Sequence, residues 1–222
     1  MRGMQSIKRL YDGYIRSFVP ESRKICVRNG VAVRGFTKMT DMNDHLPDEE
    51  GAVAESLREN AAIGDTIVIV GGGYGVTTVI GSREVGREGM VVSYEGSDEM
   101  IRRMVETIDM NEAGHNVETV HAVVADFSEH SEASYGNSSA TVVPPRDLPE
   151  CDILQMDCEG AEVQILREMD ITPRLLLVET HGFLGSSEQD VRTALNAKEY
   201  EVTDRTVERE ADGVVQLEAR RR

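Results

Sequence analysis

An apolar run that ends in glycine constrains this chain more than any other stretch. Residues 67–78 read IVIVGGGYGVTT. A strand that stops in three glycines, passes through Tyr74 and Gly75 and resumes β-branched is suited to a sharp turn into a helix with its backbone uncovered. In parallel sheets such a turn lies at the carboxyl end of a strand and beside a helix N-terminus, where nucleotide-like ligands bind. The loop therefore predicts a strand over 66–70 and a short helix near 75–84. Gly71, Gly73 and Gly75 are spaced G-x-G-x-G, with Val76 where the dinucleotide fingerprint wants glycine. No lysine follows, which excludes a phosphate-gripping P-loop. The alternative is a tight turn with no ligand.

The remaining pattern alternates in kind. Strands are expected at 90–95, 117–124, 152–157 and 174–180, with helices over 50–62, 97–112, 159–169 and 188–197. Apolar pieces at 199–203 and 213–217 read as an antiparallel pair, and the Arg220–Arg222 tail as frayed. Together these predict an α/β fold: a doubly wound, mostly parallel seven-stranded sheet with an antiparallel C-terminal hairpin. This domain spans residues 48–222. Residues 1–47 form an extension whose KICVRNGVAVRGF stretch turns at Asn29-Gly30 as a β-hairpin. The acidic run 41–50 reads as a linker, and residues 128–149, rich in Ser, Gly, Asn and Pro, as the longest irregular stretch.

Successive strand ends supply the rest of a binding site. Glu95, with Gly96 after it, ends the second strand of the series, where a carboxylate accepts hydrogen bonds from ribose hydroxyls. Asp126-Phe127 ends the third, offering an acceptor and an aromatic edge for adenine. No cluster of cations accompanies them, so the expected ligand is an adenosine with a non-phosphate tail. The candidate cofactor-binding residues are Gly71, Gly73, Tyr74, Gly75, Glu95, Gly96, Asp126 and Phe127.

The run DILQMDCEGAEVQIL (152–166) resembles the D-x-E-G-x-E signature of FkbM-type methyltransferases, at Asp157, Glu159, Gly160 and Glu162. RLLLVETHG, with Glu179 and His181, is similar to that family's next strand, and the likeness extends over residues 50–182. The resemblance implies a class I, Rossmann-like methyltransferase fold and S-adenosyl-L-methionine as cofactor. It also implies O-methylation of a hydroxyl on a small molecule or glycan. Asp157 and His181 are the candidate catalytic residues, as proton acceptors or orienting groups. Asp157 has a second reading as the N-cap of the following helix, and Glu162 is expected to be structural. The chain departs from the family pattern at Ile69, where an acid is common, at Gly72-Gly73 for Ala-Asn, and at Gln155 for a lysine. Two rivals stand beside this reading, a non-catalytic adenosine-cofactor-binding module and an NAD(P)-dependent oxidoreductase.

Composition bounds the setting. Forty acidic residues against 24 basic ones give a net charge of −16, and only four of the basic residues are lysines. Acid excess with scarce lysine points to a protein adapted to high salt, and argues against nucleic acid as a partner. No apolar run approaches the roughly 20 residues of a membrane span, so a cytoplasmic location without membrane insertion is expected. Cys26, Cys151 and Cys158 match no ligand spacing, and no metal site is expected.

Overall fold

The computed structural model describes residues 15, 18–39, 50–125, 139–209 and 213–222. In chain order the elements begin with a hairpin, β1 (Glu21–Arg28) and β2 (Val31–Lys38), and α1 (Gly51–Asn60). The α/β series is β3 (Thr66–Val70), α2 (Val76–Val85), β4 (Met90–Glu95), α3 (Asp98–Met110), β5 (Val117–Val124), β6 (Thr141–Val143), β7 (Ile153–Met156), α4 (Glu162–Glu168) and β8 (Leu175–His181). It closes with α5 (Glu188–Ala197), β9 (Tyr200–Arg209) and β10 (Val214–Arg221). No helix among the described residues is long and apolar enough to cross a membrane.

The main sheet has eight strands in the order β6-β5-β4-β3-β7-β8-β10-β9. Strands β3 to β8 pair in parallel, and β10 is antiparallel to both β8 and β9. The expected seven strands are thus corrected to eight. The addition, Thr141-Val142-Val143, is three residues long, too short for periodicity to reveal inside a stretch that reads as irregular. The C-terminal tail is also corrected. Arg220 reaches Asn60 and Glu218, and the Arg222 amide donates to the Glu199 carbonyl, so strand pairing holds the end of the chain.

Alternation along the strands divides the core. Val68, Val70, Leu154, Met156, Leu176 and Val178 face α4 and α5. Ile67, Ile69, Ile153, Leu175 and Leu177 face α1, α2 and α3, together with Val31 and Val33 of the hairpin. The two faces follow from the period of two in a strand, and both being buried explains why β3 and the first four residues of β8 are apolar runs. Helix α3 starts where Ser97 accepts a hydrogen bond from the Met100 amide, a cap that fixes its first turn. It buries Met104, Thr107 and Ile108, while Val105 is exposed.

The topology places one edge of every parallel strand toward the same end of the sheet. The β3 loop, Glu95, and the ends of β7 and β8 all gather there.

Candidate functional site

Three of the loop glycines are bare because of the protein itself. A Cβ on Gly72 would stand 2.4 Å from Ser93 Oγ, and one on Gly75 2.9 Å from Met104 Cγ. Gly71 is confined more severely, with the Asp157 carbonyl oxygen 1.7 Å from where its Cβ would be. Gly73 alone among them has nothing within 4 Å of that position. It is the point where the loop presents uncovered backbone to open space.

Glu95 meets this loop. Its Oε2 accepts from the Gly73 amide at 2.8 Å and its Oε1 from the Ser97 amide at 2.7 Å. The side chain is buried, and each oxygen still has a lone pair to offer, since a carboxylate accepts about four bonds. Gly73, Glu95 and Gly96 thus form one continuous rim. An open cradle at Gly73 beside a buried strand-end acceptor fits the ribose end of an adenosine cofactor. Tyr74 lies in a different seam. Its ring is flanked by the Arg28 and Arg103 guanidinium carbons at 4.8 and 5.2 Å, and its hydroxyl accepts from Arg103 at 2.9 Å. What Tyr74 brings to the loop is backbone, because the hairpin and α3 engage its side chain. Asp126 and Phe127, the candidate adenine contacts, lie outside the described residues.

The second half of the site lies at the ends of β7 and β8. The Asp157 amide donates to the Val70 carbonyl at 2.9 Å, which holds it beside the glycine loop. Its reading as an N-cap is excluded, because α4 is capped by Ala161 after a turn with positive φ at Glu159 and Gly160. A Cβ on Gly160 would come 2.8 Å from the Leu184 carbonyl, so this turn packs closely on the loop after β8. Ser186 ties the two together, donating to the Gly160 carbonyl at 3.2 Å.

His181, 3% exposed, is the centre of this half. Its Nδ1 lies 2.9 Å from Glu162 Oε1, while its Nε2 faces Asp157 Oδ1 at 3.4 Å and Glu179 Oε1 at 3.6 Å. Glu162 is fully buried and also accepts from the amides of Cys158 and Gly160. Burial works against its charge, but the hydrogen bond and charge of His181 and the Ser186 hydroxyl prevail and hold its pKa down. An ionised Glu162 makes Nδ1 the donor and leaves Nε2 turned to the two other carboxylates. Burial likewise opposes an imidazolium at His181, and the Glu162 hydrogen bond, with the charges around it, more than offsets this and raises its pKa.

Burial, reinforced by the charge of Glu179 and opposed by His181, pushes the Asp157 carboxyl up to about 7. Glu179 is raised as well, chiefly by burial. Asp157 keeps 32% of its side-chain surface exposed and is the member of the group that an incoming molecule can touch. Glu179 was missed as a site residue in the sequence reading. The signal was present, since two residues before His181 on one strand is the same face.

The departures at Ile69 and Gln155 are register partners on β3 and β7. Where the family pattern has an acid and a lysine, this chain changes both, so neither partner leaves a lone charge in the core. Ile69 is fully buried and its side chain is core, not ligand.

Residues 45–202 match the Methyltransferase FkbM domain. The chain belongs to the FkbM methyltransferase family. Residues 45–202 are thus an S-adenosylmethionine-dependent methyltransferase domain, and the rival oxidoreductase reading gives way. Among curated proteins it is 44% identical over 66 residues to the 23S rRNA (uracil(1939)-C(5))-methyltransferase RlmD of Acinetobacter baylyi, a match covering 29% of this chain and 14% of that protein. Among solved structures it resembles a SAM-dependent O-methyltransferase from Thermotoga maritima, with TM-score 0.53 and 17% identity, covering 82% of this chain and 68% of that one. It also resembles aTrm5, solved with tRNALeu, with TM-score 0.60 and 10% identity, covering 92% of this chain and 54% of that one. At these identities the structures establish the shared fold.

These neighbours correct one expectation. A small-molecule or glycan acceptor, with nucleic acid excluded on net charge, does not follow when the family's fold is carried by rRNA and tRNA methyltransferases, one of them bound to tRNA. Net charge sums the whole surface, whereas an acceptor meets one patch of it.

Proposed function

We propose that this methyltransferase transfers the methyl group of S-adenosylmethionine to an oxygen, with Asp157 and His181 receiving or steering the proton that the acceptor loses. The observation that carries the proposal is the pinned imidazole. Its Nδ1 is committed to Glu162, and its Nε2 points at the partly exposed Asp157, next to the loop that would hold the cofactor. The backbone of the Gly71–Gly75 loop, open at Gly73, with Glu95 and Gly96 would hold the nucleoside, Asp126 and Phe127 the adenine. The bound cofactor supplies a methyl already activated by its sulfonium. What the protein must add is alignment and a place for the proton. A neutral hydroxyl needs such a place, and a cluster of carboxylates around one imidazole provides it.

RNA is the acceptor to assay first, since the similar proteins include an rRNA methyltransferase and one bound to tRNA, and the oxygen it offers is the ribose 2′-hydroxyl. The test incubates the full chain with methyl-labelled S-adenosylmethionine and RNA, then hydrolyses in alkali, which 2′-O-methylation blocks. Label is expected in alkali-resistant dinucleotides. Asp157→Asn and His181→Gln should each reduce transfer by ~100-fold or more while calorimetric affinity for the cofactor stays within a few-fold. Label on a base, or full transfer by both variants, sinks the proposal.

A further inference from the structure

Strand alternation brings three chemically complementary groups to one place. Asp157 leaves β7, while Glu179 and His181 share a face of the adjacent β8. Each offers one ligand atom, and these atoms all lie within 4.8 Å of one another. Ligands at right angles on an ion with bonds of ~2.2 Å stand about 3 Å apart. The Nε2 separations of 3.4 and 3.6 Å are therefore a few tenths of an ångström from those of a facial set.

A further observation points to an ion. Metal-binding histidines characteristically give their other ring N–H to a carboxylate, which fixes the ring and leaves the remaining nitrogen to the metal. Glu162 holds Nδ1 in that way at 2.9 Å.

We infer that Asp157, Glu179 and His181 form a site for one divalent first-row cation of the Mn2+ kind, with Glu162 orienting the histidine. Two carboxylates and an imidazole suit such an ion better than Ca2+, which prefers oxygen alone. Three protein ligands leave positions open, and an acceptor oxygen bound there would lose its proton more readily. The inference rests on the same cluster as the proposed transfer to oxygen, but its test reads the ion itself and can fail alone.

Mn2+ is titrated into the full chain and followed by calorimetry and by the electron paramagnetic resonance of the free ion. A background of ~1 M KCl suppresses binding to exposed acidic surface. One ion per chain is expected, with a thermal transition that rises in its presence. Glu179→Gln and Asp157→Asn should each weaken binding by at least ~10-fold and Glu162→Gln by ~10–100-fold. Glu188→Gln, in a surface ion pair far along the chain, should leave it unchanged. Unfolding curves without metal establish that each variant is folded. No saturable site at millimolar Mn2+, or an affinity in both Glu179→Gln and Asp157→Asn unchanged from that of the unsubstituted chain, overturns the inference. Methyl transfer measured with a chelator present then decides the oxygen-acceptor reading separately.

Discussion

Gly71 has φ +88° and Gly73 φ +50°, both in the left-handed region that an L side chain enters at a cost of about 1–2 kcal/mol. Their surroundings differ. Alanine at Gly71 would also drive a methyl into the Asp157 carbonyl, and overpacking of that kind adds about 1–3 kcal/mol. Gly71→Ala should therefore cost ~3 kcal/mol and lower the melting temperature by ~10 °C, against ~3 °C for Gly73→Ala. Calorimetric titration should show the reverse order of interest, with Gly73→Ala folded yet weakened toward S-adenosylmethionine because its methyl occupies the open cradle. Equal thermal shifts in the two variants would refute this division of labour. The sequence made the loop visible as a motif. It could not say which glycine serves the ligand, because Asp157 and Met104, the neighbours that decide it, are distant in the chain.

The elements themselves were legible where pattern and burial coincide. Strand β8 buries all seven residues and opens with the apolar run Leu175–Val178, and α5 matches its expected span, with a capping serine at Ser187. Strand β9 extends to Arg209 with a mostly polar, half-exposed pattern, so only its first residues carried a signal. What holds such a strand is its ladder with β10 and a tie to α5. Glu188 accepts from Arg205 at 2.8 and 2.9 Å and from Arg192 at 2.9 Å, and the Arg205 hydrogen bond leads in lowering its pKa to about 2. A carboxylate whose folded pKa lies below its unfolded value near 4.5 stabilises fully above that value. The contribution is lost as pH falls toward 2. The pair is partly exposed, which limits the effect. Glu188→Gln should lower the melting temperature by about 1–3 °C at pH 7. Melting curves of the two proteins should converge as pH approaches 2, and a gap that persists there would mean the side chain acts by packing.

For the whole molecule the opposing terms are the ion pairs and the uncompensated charge. Pairs such as Arg174–Asp65, Arg23–Glu106 and Arg205–Glu188 each contribute little at an exposed surface and weaken as salt rises. Against them stands a net charge of −16, whose mutual repulsion favours the expanded chain. Screening acts on both, since the Debye length falls from about 8 Å at physiological ionic strength to about 3 Å at 1 M. It removes less from contacts at hydrogen-bond distance than from repulsion between carboxylates spread over the surface. The balance should therefore tilt toward stability with salt. The melting temperature is expected to rise by roughly 5–10 °C between ~0.05 M and ~2 M KCl, and equally in NaCl at the same ionic strength if screening is the cause. A melting temperature that falls with either salt would show that the ion pairs dominate, and the acid excess would then have no role in adaptation to high salt.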